Sequence, residues 1–287
     1  MTKKNKNIKK EDFARVIELY QKQPWLLEKE EHLIELINLC DTDDHKNLIV
    51  NLLNAFKYLS SKDLNNYYNF ITDKIINKTG FDENRTQIAS ITIDDEADSS
   101  QRVLNDIKVP LFKNGWSNVK TVNRFNDIPK NYKRGKNQII LIDEFVGSGK
   151  TVLGRIKNIN EWIQGDFDLK FCFIAGMDYG INIIENCGYE VYCPLRLPKG
   201  ISGRYVGAYK NNAIQRMKTL EEKLAQQIDR HLIDTFSLGY NDTQALYSLE
   251  SCFGNTPNSV FPIFWWPRYF NNSPRNTLLT RVEQGLK

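Results

Sequence analysis

The chain has 287 residues, 41% of them hydrophobic, with a formal net charge of +4. That is enough for one α/β domain plus a smaller module, and too evenly balanced for composition alone to announce a nucleic-acid binder. No apolar run approaches the roughly 18 residues of a membrane span, and no leader or lipidation motif is seen, so a cytoplasmic protein without membrane contact is expected.

Taken in chain order, the first feature is a basic cluster of Lys3, Lys4, Lys6, Lys9 and Lys10. It reads as a solvated tail, with contact to nucleic-acid phosphates as the alternative. Residues 11–80 carry helical spacing. Phe13, Val16, Ile17 and Tyr20 recur on one face, as do Leu33, Leu36, Ile37 and Leu39. Leu48 to Val50 with Leu52, Leu53 and Phe56 continue the pattern. Asp43, Asp44 and His45 sit where that helix should begin, so a helix start explains them better than a metal. A further helix is predicted from Ser61, with Tyr67, Phe70, Ile71, Ile75 and Ile76 inward and Thr79-Gly80 as its end. This N-terminal helical region, residues 1–82, is expected to pack on the rest of the chain or on a protein partner.

From residue 86 the period changes. Strands are predicted over 87–93, 119–125, 139–142, 169–175 and 189–193. Helices are predicted over 99–112, with Val103, Leu104 and Ile107 inward, and over 150–162 and 181–185. Alternating strands and helices mean βαβ units and a parallel sheet. Residues 211–235 read as one long helix with Glu221 and Lys223 on a solvated face. The Pro- and aromatic-rich stretch 256–266 reads as a covering layer over the sheet, or as a wall on which a base could stack. Five cysteines without CxxC spacing and three scattered histidines give no zinc pattern, so buried free thiols in a reducing compartment are expected.

The most informative stretch follows the third core strand: Ile139-Ile140-Leu141-Ile142-Asp143-Glu144-Phe145-Val146-Gly147-Ser148-Gly149-Lys150-Thr151. Ligands of open α/β sheets bind beyond the carboxyl ends of the strands. A small-residue turn into a helix start offers backbone N–H groups and a positive dipole end to a phosphate. Two acids beside it can accept from sugar hydroxyls. The Gly-Ser-Gly-Lys-Thr ending also suits a P-loop NTPase, in which Lys150 and Thr151 would act on ATP. That pattern needs glycine where Glu144 stands, and it would ask one strand to supply both the phosphate loop and the acid pair.

This stretch resembles the phosphoribosyl-pyrophosphate (PRPP) loop of type I phosphoribosyltransferases, and the element order over 86–195 resembles their core. Leu238-Gly239-Tyr240, Asn255-Thr256-Pro257-Asn258 and Pro262-Ile263-Phe264-Trp265 resemble the PRTase-CE group, phosphoribosyltransferase-like proteins of prokaryotic conflict and antiviral-defence systems. The resemblance implies an α/β fold with a type I phosphoribosyltransferase-like parallel sheet, an N-terminal helical region and an aromatic-rich C-terminal cover. The domain would span 83–287, with a C-terminal helix and hood over 196–287. It implies that Asp143 and Glu144 bind the ribose hydroxyls and stabilise the transition state. It further implies that Gly147, Ser148, Gly149, Lys150 and Thr151 wrap the 5′-phosphate, and that Mg²⁺ accompanies the pyrophosphate. The matching pyrophosphate loop holds the acids of 94–98, with Ser99, Ser100 and Arg102 as donors at the helix start. Lys130, Lys133, Arg134 and Lys136 fall where the family has a mobile flap. Two functions are implied: phosphoribosyl transfer with release of pyrophosphate, or a catalytically inactive nucleotide sensor acting through a protein partner.

Overall fold

The middle of the chain, Ser60–Leu197, folds as one unit, and the two ends, Met1–Leu59 and Pro198–Lys287, fold together as another. The structure, a computed structural model, describes residues 10–92, 99–250 and 255–282. Lys3, Lys4, Lys6 and Lys9, the acids of 94–98 and Cys252 lie outside the described residues.

The N-terminal part of the end unit holds α1 (Phe13–Lys22), α2 (Glu30–Leu39), α3 (Asp43–Asn54) and a strand, β1 (Lys57–Leu59). In α1 Val16 and Leu19 turn inward, whereas Phe13 and Ile17 of the expected apolar face are exposed. Thr42 caps α3, its hydroxyl accepting from the His45 N–H at 3.2 Å. Asp43 pairs with Arg15 at 3.0 Å and Asp44 with Arg216. Both acids beside the helix start thus have arginine partners.

The middle unit begins with α4 (Ser61–Asn77), held at its start by a capping box between Ser60 and Asp63. Leu64, Tyr68, Ile71 and Ile75 form its buried stripe; Ile71 and Ile75 are inward as expected, Tyr67 and Ile76 are half-buried and Phe70 is exposed. There follow β2 (Thr86–Ser90), α5 (Ser99–Asp106), α6 (Lys108–Lys113), β3 (Lys120–Val122), α7 (Ile128–Tyr132), β4 (Gln138–Val146), α8 (Lys150–Trp162), β5 (Asp168–Met177), α9 (Asp178–Asn186), β6 (Glu190–Tyr192) and β7 (Leu195–Leu197). They build a six-stranded sheet of order β3-β2-β4-β5-β6, with β7 also on β5. Every pairing is parallel. Helices cover both faces of a parallel sheet, so its central strands are apolar throughout rather than alternating. Ile139 to Ile142 and Phe171 to Ala175 are accordingly fully buried. The expected basic flap is instead folded in part as α7, with Ile128 and Asn131 buried.

The C-terminal part of the end unit holds α10 (Gly207–Glu221), a hairpin of β8 (Gln227–Ile228) and β9 (His231–Leu232), and β10 (Tyr247–Leu249). The long helix expected over 211–235 stops at Glu221, which is buried rather than solvated. Its carboxylate accepts from the Ser237 hydroxyl at 2.7 Å and the Leu238 N–H at 3.2 Å. Beyond it, Leu224 bridges to Tyr269, which draws the chain off the helix axis. Phe261, Phe264, Trp265 and Trp266 are the interior of this unit, at most 1% exposed. Rings so enclosed present no face to a base, so the stacking-wall expectation fails. Strand β10 runs parallel to β1, Lys57 beside Tyr247, and this pair joins the two chain ends. It also explains why the observed division falls at Leu59 and Leu197 rather than near residue 82.

Candidate functional site

All ten residues singled out from the sequence lie in the middle unit, around the carboxyl edge of β4. Strand β4 does not stop at Ile142; it runs on to Val146, with Asp143 beside Phe173 and Phe145 beside Ala175 of β5. Adjacent residues of a strand point to opposite faces. The two acids are therefore separated.

Asp143 is half-buried, and its Oδ1 accepts from the Ser99 hydroxyl at 3.1 Å and from the N–H of Glu144 at 2.7 Å. Ser99 opens α5 among the described residues, so the start of this helix holds the acid at the carboxyl edge of the sheet. Glu144 is 3% exposed, on the other face, where its charge reaches the Tyr68 phenol. Burial pushes that phenol well above the usual tyrosine range, reinforced by Asp106, which accepts its hydrogen bond at 2.9 Å. Arg102, expected to donate to a ligand, stands 3.5 Å from Asp106 in an ion pair along α5. Ser100 is fully buried and shares a hydrogen bond with Thr92 at 2.8 Å, so it anchors the helix start instead of facing a ligand.

The turn consists of three residues. Gly149 has φ +78° and precedes α8, whose first two residues, Lys150 and Thr151, are both exposed. A side chain at that φ is strained, so glycine suits the position. The first N–H groups of α8 have no partners within the helix, and the positive end of its dipole lies there. Three residues between strand and helix are too few for the longer wrap of GxxxxGK[ST], which weighs against the P-loop alternative.

Two residues that sequence reasoning missed support this turn. Gly180, in the first turn of α9, meets it backbone to backbone: a Cβ there would lie 2.1 Å from the Gly147 carbonyl oxygen. The sequence signal was a glycine just past the apolar run of β5, where loop and helix must approach closely. Arg155 of α8 donates through Nε to the Ile91 carbonyl at 2.8 Å and stacks over Phe125 at 5.3 Å. It ties the helix behind the turn to the end of β2.

Among the described residues no three acids, histidines or cysteines converge to cage a metal ion. No helix among them is long and apolar enough to cross a membrane. Cys40 and Cys172 are buried as expected and Cys193 is half-buried, but Cys187 is exposed. Burial pushes the Cys40 and Cys193 thiols up to about 12, far from reactive thiolates.

The family model for PRTase-CE matches residues 38–281, which takes in the whole middle unit and most of the end unit. No curated protein matches the chain.

Proposed function

The chain belongs to the PRTase-CE family, and from that premise we propose that it binds PRPP or a related nucleotide at the β4–α8 turn and transfers the phosphoribosyl group, with loss of pyrophosphate, in a prokaryotic defence system. The observation that carries this reading is the pairing, at the end of one strand, of a partly exposed carboxylate, Asp143, with a glycine-built turn into a helix whose first two residues, Lys150 and Thr151, are exposed. Asp143 accepts from the ribose hydroxyls, while Ser99 fixes its rotamer. The turn donates backbone N–H groups to the 5′-phosphate, and Lys150 adds charge at its rim. Transfer breaks the bond from C1′ to pyrophosphate and forms one to the acceptor, through an oxocarbenium-like state that a nearby carboxylate stabilises. Glu144, buried on the opposite face, is given no contact with the sugar in this reading.

Mg²⁺ belongs to the proposal as well. A partly exposed carboxylate suits a hard cation held mainly by substrate oxygens, and in this reading Asp143 contributes to it. The ion would neutralise the departing pyrophosphate.

Calorimetric titration of PRPP with Mg²⁺ tests the assignment. Asp143→Asn should weaken binding at least about tenfold, the scale of one charge-assisted contact, and Glu144→Gln should leave it within about threefold. Equal heats for wild type and Asp143→Asn would remove the reading. The burial of Glu144 and Ser100 favours a second version, a nucleotide sensor without turnover. Steady pyrophosphate release in the presence of PRPP and acceptors would exclude it.

A further inference from the structure

A cavity of about 310 Å³ opens between edge strand β3 and helix α7, outside the site just described. Lys120, Arg124, Lys130 and Arg134 line it, with Asn131 and a single carboxylate, Asp127. Among the described residues Lys120, Lys130 and Arg134 make no ion pair, whereas Arg102, Lys157, Lys170 and Arg196 of the same unit have acidic partners. Strand β3 ends the sheet order, so its outer side also presents backbone N–H and C=O groups. Cationic side chains and backbone donors in one concave surface suit phosphate oxygens.

One end of the groove, at Arg124, is in register with the candidate site, and from there the groove runs back along β3 towards Lys120, which pairs with Gln87. Val122 pairs with Ala89, and Ala89 with Leu141, so Arg124 lies at the level of Asp143 two strands away, roughly 10 Å across the sheet. The pairing continues past the strand's end, because the Phe125 N–H donates to the Thr92 carbonyl at 3.0 Å. Helix α5 joins the two places: Gln101 donates to the Asn123 carbonyl at 3.3 Å on the groove's rim, and Ser99 holds Asp143.

We infer that this groove binds the phosphate groups of a nucleotide acceptor, free or within a nucleic-acid strand, and presents that acceptor to the sheet's carboxyl edge beside Asp143. The inference rests on the phosphoribosyl-transfer reading for its purpose, and on the groove alone for its binding. Its rival is protective, since charge on an edge strand also blocks pairing with another chain.

Fluorescence anisotropy with a short labelled single-stranded RNA separates them. Lys130→Ala with Arg134→Ala should weaken binding about tenfold and flatten the salt dependence by roughly 1.4 in slope, the effect of losing two phosphate contacts. Lys113→Ala with Lys133→Ala removes the same charge from exposed positions outside the cavity, and should change affinity less than about threefold. Competition by a mononucleotide identifies a free nucleotide as the occupant; strand binding without such competition identifies nucleic acid. Equal losses in the two double variants, no RNA or mononucleotide binding by the wild type, or aggregation of the groove variant with unchanged affinity would each overturn the inference. PRPP titration of the same proteins keeps the two readings apart. The groove variant should retain PRPP binding, and a wild type that binds RNA but not PRPP would sink the transfer reading while leaving the groove in place.

Discussion

The two units of this chain solve the same problem in different ways. The middle unit is built from neighbours in sequence, most strands reaching their parallel partner through a helix, and the core beneath its sheet is aliphatic and aromatic, with Glu144 as a buried carboxylate at the strand end. The end unit is assembled from residues far apart in sequence, and its interior mixes large aromatic rings with buried ionic groups, Glu221 and Arg275. A regular sheet satisfies its backbone by its own ladder. An irregular coil such as 255–282 has no ladder, and side chains must take that task. Arg275 donates to the Trp266 carbonyl at 3.1 Å and to that of Ile263, while Glu221 accepts from Leu238. Burial lowers the Arg275 guanidinium to about 10 even with Tyr269 and Glu35 nearby, a measure of how enclosed it is.

The sharpest way to break this contrast is to remove such a side chain. Arg275→Ala should cost about 3–5 kcal/mol by stranding buried carbonyls and opening a cavity. Hydrogen exchange should then lose protection in 10–59 and 198–282, and keep it in β4 and β5; uniform loss would show that the units do not differ in this way.

A change of pH is the next test. Burial, partly offset by the hydrogen bonds from Ser237 and Leu238, pushes Glu221 up to about 7 from an ordinary 4.5. The folded chain keeps a proton that the unfolded chain gives up between those values. Stability from this group is therefore full below about 4.5, falls as pH rises towards about 7 and is flat above, a span of roughly 3 kcal/mol. Glu221→Gln should abolish that slope in urea midpoints measured across the window.

The smallest expected effect compares two glycines. A Cβ on Gly180 or on Gly239 would each lie 2.1 Å from a backbone carbonyl oxygen, that of Gly147 or Ser259. Each alanine variant should lose about 1–3 kcal/mol. On the proposed function, only Gly180→Ala should weaken PRPP binding in calorimetry, because only that contact supports the β4–α8 turn.

The same contrast explains what could be read in advance. Strand-helix alternation, the buried run at Ile139 and the turn into α8 obey short-range periodicity, and the sequence shows them directly. The separation of Asp143 from Glu144 depends on how far β4 continues, which pairing with Phe173 and Ala175 decides. The fate of Ser100 depends on Thr92, and that of Arg102 on Asp106. In the end unit, helix spacing placed α2 and α3 well, yet β1 is three residues long and is defined only by a partner 190 positions away. The aromatic tail could be recognised as something that must be buried, but what buries it could not.

That distant pairing has a consequence for synthesis. At roughly 5–20 residues per second, a ribosome releases Lys57 some 10–40 s before Tyr247. Throughout that interval the nascent helices at the front of the chain lack the rings that will enclose them, while the middle unit has every strand it needs once Leu197 is made, 50 residues before Tyr247. Emerging polypeptide of this kind is a natural client for a holding chaperone, and its vulnerable period ends only when the last aromatic stretch arrives.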